Sequence, residues 1–151
     1  APSEVSRKNT LQTQHGVFPG RYDNLEKICD LVTEQATRAG FDDAAVYAIQ
    51  TAVDEACSNI IEHAYGGEDR GSIEIDIRFE DACLTIQLID RGKPFDPESV
   101  PEPDIQASLA ERDNHGLGLY FMQKLMDRLE FDFSTKNGNV LTMVKCLPPP
   151  P

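Results

Sequence analysis

Ser72 to Asp90 reads SIEIDIRFEDACLTIQLID, and its period is two. Ile73, Ile75, Ile77 and Phe79 alternate with charged residues, and after a break at Glu80 to Ala82 the pattern resumes with Leu84, Ile86 and Leu88. Alternation places successive side chains on opposite faces of a strand, so this stretch predicts a hairpin with one buried face. An apolar sheet face needs a second layer to lie against. The sequence on either side supplies it.

Upstream the period lengthens to that of a helix. Leu25, Ile28, Val32, Ala36 and Ala39 recur at helical spacing between the capping-box pattern Asp23-Asn24-Leu25-Glu26 and Gly40. A second stripe, Ala45, Ile49, Ala52, Val53, Ala56, Ile60 and Ala64, runs from a capping Asp42, with Phe41 and Val46 as a staple, to near Tyr65 at the glycine pair. Thr10 to Val17 alternates weakly and predicts a first strand at a sheet edge. Downstream, Pro94, Pro97, Pro101 and Pro103 predict a long loop to about Asp104, with a short helix near Ile105 to Glu111. Gly116 and Gly118 introduce a third helix carrying Leu117, Phe121, Leu125 and Leu129, and Phe131 to Lys136 and Val140 to Leu147 form the last hairpin about Asn137-Gly138. This order predicts an α+β fold: a two-layer sandwich with a mixed, mainly antiparallel sheet of about five strands and three main helices on one face.

The 151 residues suit one domain, read as an N-terminal extension over 1–9, the domain over 10–147 and a proline-rich tail over 148–151. Apolar residues at 40% and charged residues at 26% are those of a soluble protein; no apolar run is long enough to span a membrane and no export signal is evident, so the expected location is cytoplasmic. A net charge of −12 disfavours nucleic acid or anionic lipid as the main partner and favours a protein or a metal-neutralised anion. Cys29, Cys57, Cys83 and Cys146 lack metal-binding spacing and sit among apolar residues, so they are expected to be reduced core residues without chemistry.

Three groups of residues stand out as candidate chemistry. Glu55 and Asn59 stack one turn apart along one border of the second helix's apolar stripe, where a half-desolvated carboxylate and amide can line a pocket wall or simply reach solvent. His63, a turn later, is expected to be half-buried. Asp90, at the end of a buried strand with Gly92 after it, can accept a hydrogen bond from a ligand amino group, although such a pair also serves a plain turn. His115-Gly116-Leu117-Gly118-Leu119 opens a helix, where free backbone N–H groups suit phosphate.

In this order, Glu55-x-x-x-Asn59, Asp90-x-Gly92-x-Pro94-Phe95 and Gly116-Leu117-Gly118-Leu119 resemble the three nucleotide-binding boxes of the gyrase and histidine-kinase type ATP-binding domain, the Bergerat fold. The DRGKPFDP and GLGLYFMQKLMD stretches resemble the bacterial anti-sigma-factor serine/threonine kinases within it; Pro94 stands where histidine kinases usually carry glycine. The resemblance spans about Leu11 to Leu147. It implies ATP and Mg²⁺ as cofactors, with Asn59 as metal ligand and Glu55 as catalytic base. Asp90 would hold the adenine amine, Gly92 would make room for the ring, and Gly116 and Gly118 would bind phosphate. Phe95, His115, Leu117 and Leu119 belong to the same boxes, Thr142 lies where the family often has an adenine-linked threonine, and Asp96 to His115 would form a lid; where some of these kinases place a basic residue for the γ-phosphate directly before the glycine box, this chain departs with Asp113-Asn114-His115 and has Arg112 further back. The implied partners are a sigma factor and an anti-anti-sigma antagonist that the kinase phosphorylates in partner switching, and the implied assembly is a homodimer. The alternative is a nucleotide-responsive anti-sigma or scaffold module that transfers nothing.

Overall fold

The computed structural model describes residues 13–94 and 114–150, with 114–118 as backbone alone. In it the alternating stretch becomes two paired strands, β2 (Ser72–Glu80) and β3 (Cys83–Asp90), which turn at Asp81 and Ala82 with φ of 54° and 63°. Two successive left-handed residues twist the chain in the sense a two-residue hairpin requires. β1 (Thr13–Pro19) joins the free edge of β2; on the other side β5 (Gly138–Cys146) pairs with β3, and β4 (Arg128–Thr135) pairs with β5. The order is β1-β2-β3-β5-β4. All four pairings are antiparallel, so the parallel component of the expected mixed sheet is absent among the described residues.

The helices are α1 (Leu25–Ala39), α2 (Asp43–Asn59) and α3 (Asn114–Leu125). α2 is central and packs against both others. Its buried residues include Ala48, Ala52 and Ala56, whose small side chains let neighbouring backbones approach. Ile73, Ile75, Ile77, Leu84, Ile86, Leu88 and Met143 on the inner sheet face meet Ile28, Val32, Ile49, Val53 and Met122 from the helices, and all are essentially solvent-free. Each such side chain contributes about 1.5–3 kcal/mol on burial, which fixes the strand register, since a one-residue slip would turn the row outward.

Local signals act where they were expected at Asp42, whose carboxylate accepts from the Ala45 N–H at 2.8 Å, and at Gly40, which ends α1 with φ of 101°. Others differ. The Asp23–Glu26 capping box does not form; Tyr22–Asn24 is a 3₁₀ turn, and Asn24 Nδ2 donates instead to the Pro19 carbonyl at 2.8 Å. Leu129 belongs to β4 rather than α3, because its helical spacing from Leu125 coincides with a strand start. β1 runs to Pro19, beyond the expected Val17; Thr10, the extension over 1–9 and the helix expected near Ile105 to Glu111 lie outside the described residues.

Two cysteines depart from the expected reduced state. Register sets Cys83 opposite Cys146, 63 residues apart, and they form a disulfide. Cys29 and Cys57 are free and buried, with burial pushing the Cys29 thiol up to about 11 and the Cys57 thiol higher still, so both are inert at neutral pH.

Candidate nucleotide-binding cleft

α2 does not stop as an α-helix at Asn59. Ile60–Ala64 continue it as a π-turn, in which the Tyr65 N–H reaches back five residues to the Ile60 carbonyl at 2.9 Å. Single π-turns widen a helix locally and often occur at functional sites. Here the turn keeps Ile60 and Ile61 both buried and swings His63 outward, so the half-buried position expected for His63 is not adopted; it lies exposed, 3.8 Å from Glu62.

The π-turn also meets the segment that follows β3. The Ala64 carbonyl accepts from the Lys93 N–H at 2.7 Å, and a Cβ on Gly92 would overlap that carbonyl. Gly92 is therefore required first by the approach of two backbones, whatever room it also leaves for a ring. Tyr65 supports the same segment: its hydroxyl donates to the Ser72 carbonyl at 2.6 Å and accepts from the Arg91 N–H at 2.9 Å.

Between α2, this segment and the β4–β5 hairpin lies a cleft lined by Asn59, Asp90, Asn139, Met122, Phe131 and Phe133, among others. Its apolar walls and few polar groups suit a planar heterocycle. Asp90 is only 7% exposed and Asn139 only 8%, and no other polar or charged side chain among the described residues is buried as deeply. The Asp90 Oδ1 atom accepts from the Gly92 N–H at 2.9 Å and from Asn139 Nδ2 at 2.8 Å, and Asn139 Nδ2 also donates to the Gly92 carbonyl at 3.0 Å.

The Asn59 Nδ2 atom is buried without a hydrogen-bond partner, the sole such side-chain atom among the described residues. An orphaned buried donor costs about 1–3 kcal/mol, a cost that an acceptor on a bound ligand removes. This donor set fits Mg²⁺: the ion commonly takes one or two protein oxygens and completes its shell with phosphates and water, and the Asn59 amide offers one such oxygen. Glu55 stands one turn earlier on α2, half-buried and outside the cleft lining; burial pushes its carboxyl above the ordinary range, with Asp54 and Glu62 acting in the same direction.

The structure thus brings together Asn59, Asp90 and Gly92, with Glu55 adjacent. It does not bring Thr142 there. Thr142 lies on the outer sheet face, where its hydroxyl accepts from Gln87 Nε2 at 3.2 Å, because β5 alternates and buries Asn139, Leu141 and Met143 on the other side. Leu119 is buried in the core and does not line the cleft. His115, Gly116, Leu117 and Gly118 fall inside the first turns of α3 rather than before it, while Phe95, Arg112 and the expected lid up to residue 113 are outside the described residues. Elsewhere, His15, Glu74 and Asp76 gather on the outer face, with His15 Nδ1 bonded to Asp76. Among the described residues no helix is long and apolar enough to cross a membrane.

Residues 18–145 match the family described as histidine kinase-like ATPase domain. A serine-protein kinase RsbW of Bacillus pumilus is 36% identical over 119 residues, covering 74% of this chain and 72% of that protein. Its namesake in Listeria monocytogenes is 31% identical over 111 residues, covering 71% of each. Among solved structures, the RsbU and RsbW domains of a Mycobacterium tuberculosis protein share the fold at TM-score 0.63 and 17% identity, over 89% of this chain and 32% of that one. The SiaB–SiaC complex of Pseudomonas aeruginosa does so at TM-score 0.62 and 13% identity, over 97% of this chain and 95% of that one.

Proposed function

The chain belongs to the histidine kinase-like ATPase family, with the serine-protein kinases RsbW among its relatives, and we propose that it is an ATP- and Mg²⁺-dependent serine/threonine protein kinase and anti-sigma factor that works by partner switching. The observation that carries this reading is the joining of Asn59 and Asp90 in one cleft, with a desolvated carboxylate, Glu55, one helical turn away.

Adenine enters between the apolar walls, its amino group donating to Asp90. The Asn59 amide oxygen holds Mg²⁺, which when bound offsets phosphate charge. Glu55, made more basic by burial, takes the proton from the hydroxyl of an incoming serine as that oxygen bonds to the γ-phosphorus and the bond to the ADP oxygen breaks. Among the described residues no serine, threonine, cysteine or histidine lines the cleft, which supports direct transfer.

The acceptor is an antagonist protein. Phosphate on its serine adds negative charge facing a chain of net charge −12, which favours release and frees the kinase for its other partner, a sigma factor. We place this exchange in the cytoplasm, between protein partners, with the kinase as a homodimer.

The test mixes purified protein, γ-labelled ATP, Mg²⁺ and candidate antagonists. Label should appear on a partner serine, and Glu55→Ala should slow its appearance by about 10²–10⁴-fold while calorimetry shows ATP still bound. Transfer unaffected by that change sinks the role of Glu55. Binding without transfer by the unmodified protein would leave a nucleotide-responsive module in place of an enzyme.

A further inference from the structure

The outer face of the sheet carries a group of metal-ligating side chains remote from the cleft. β1 is an edge strand paired with β2 alone, and its register sets His15 directly opposite Asp76 and Val17 opposite Glu74. Residues two apart on a strand share a face, so Glu74 and Asp76 both stand beside the His15 imidazole. We propose that His15, Glu74 and Asp76 form a binding site for a divalent transition-metal ion of the zinc class, which clips the edge strand to the sheet. This site is independent of the nucleotide cleft.

One ligating atom from each of the three residues lies within 4.8 Å of the other two. Zinc held by imidazole nitrogen and carboxylate oxygen at about 2.0–2.2 Å sets its ligands about 3.4 Å apart. Small turns about side-chain bonds therefore close the set, while the paired strands hold the three roots in place. His15 Nδ1 is bonded to Asp76, and the ion takes the place of the proton they share. A nitrogen beside two carboxylates is a borderline donor set, which suits zinc and its neighbours better than Mg²⁺ or Ca²⁺, ions that prefer oxygen alone. Three protein ligands leave a fourth position for water. The surrounding field favours a cation as well. A trough crosses the outer face from Glu74 and Asp76 to Glu130 and Asp132, and no lysine or arginine lines it. The exposed Arg78 is next on the same row, on the side of Asp76 away from Glu74.

The intact chain is titrated with zinc chloride by calorimetry, free of nucleotide and with Mg²⁺ in excess, beside His15→Ala, Glu74→Gln and His63→Ala. Circular dichroism confirms that each is folded. His63 lies 3.8 Å from Glu62 and serves as the control for an ordinary surface histidine next to a carboxylate. The expected result is a single zinc ion bound per chain despite the Mg²⁺, with affinity reduced at least about tenfold in His15→Ala and in Glu74→Gln and unchanged in His63→Ala. An ion that binds only the folded chain stabilises it by mass action, so zinc should also raise the melting temperature, and the first two variants should lose that rise. Absence of saturable binding, displacement by Mg²⁺, or equal weakening in His63→Ala would overturn the proposal. Binding that survives His15→Ala would do so too, leaving His15 and Asp76 as an ion pair only. If His15→Ala does not fold, Glu74→Gln decides: zinc affinity retained overturns the site, and affinity lost with native dichroism supports it.

Discussion

Eight pairings join β3 to β5, from Cys83 opposite Cys146 to Asp90 opposite Asn139, and the two ends of that ladder are held by different chemistry. At the first a covalent bond closes the pair, and Leu147 and Ala82 add a backbone hydrogen bond of 2.8 Å just beyond it. At the second two buried polar side chains hold each other through one hydrogen bond and share the adjoining turn. The covalent end can restrain the strands and do little else. The polar end holds less tightly, but it keeps the polar groups of Asp90 and Asn139 beside an open cleft, as a binding site must. Stability and recognition are thus separated along one pair of strands.

The strongest way to break this division is to cut the covalent end. A disulfide closing a loop of this length restrains the unfolded chain by about 4 kcal/mol, so a dithiol reductant, or Cys83→Ser, should lower unfolding stability in urea by about 3–4 kcal/mol. ATP affinity of the folded reduced protein should stay the same. If calorimetry shows the two falling together, the ends are coupled and the separation fails.

A change at the polar end should reach both properties. Gly138 has φ of 112°, and a Cβ there would overlap the Asp90 carbonyl. Gly138→Ala should cost about 1–3 kcal/mol of stability and, unlike the cysteine change, weaken ATP binding too.

The smallest expected effect lies off the ladder, at Glu55. Its carboxyl is raised by burial, so the folded state holds that proton more tightly than the unfolded state does. The group therefore supports the fold below its unfolded pKa, and that support is lost as pH rises through its folded pKa. Melting curves from acid to neutral pH should show Glu55→Gln gaining slightly on the unmodified protein as pH rises. Phosphotransfer by the unmodified protein should increase over the same range, since only the ionised carboxylate accepts the serine proton.

What could be read from sequence follows the range of the interaction. Period-2 and period-3.6 patterns placed the sheet and helices, because burial of a face is written residue by residue. Asp90 was legible for the same reason, lying at the end of an apolar alternation and just before a glycine. Asn139 was not: it falls between the expected Asn137-Gly138 turn and the strand expected from Val140, and only the register of β5 against β3 shows what it faces. Cys83 and Cys146 are the same case, with no local spacing to announce them. Thr142 was misread although the information was at hand, since alternation through Leu141 and Met143 already sends it outward. The π-turn after Asn59 carries no pattern of its own; it depends on how Ala64 meets Gly92.

The Cys83–Cys146 bond has a further consequence, in covalent topology. It makes the segment between them a closed ring that contains Asp90, Gly92, the whole of α3 and the β4–β5 hairpin. A single backbone cut anywhere in that ring releases nothing: the pieces migrate as one molecule until a reductant parts them. Damage to the nucleotide-binding half would thus stay invisible to size alone while the bond stands.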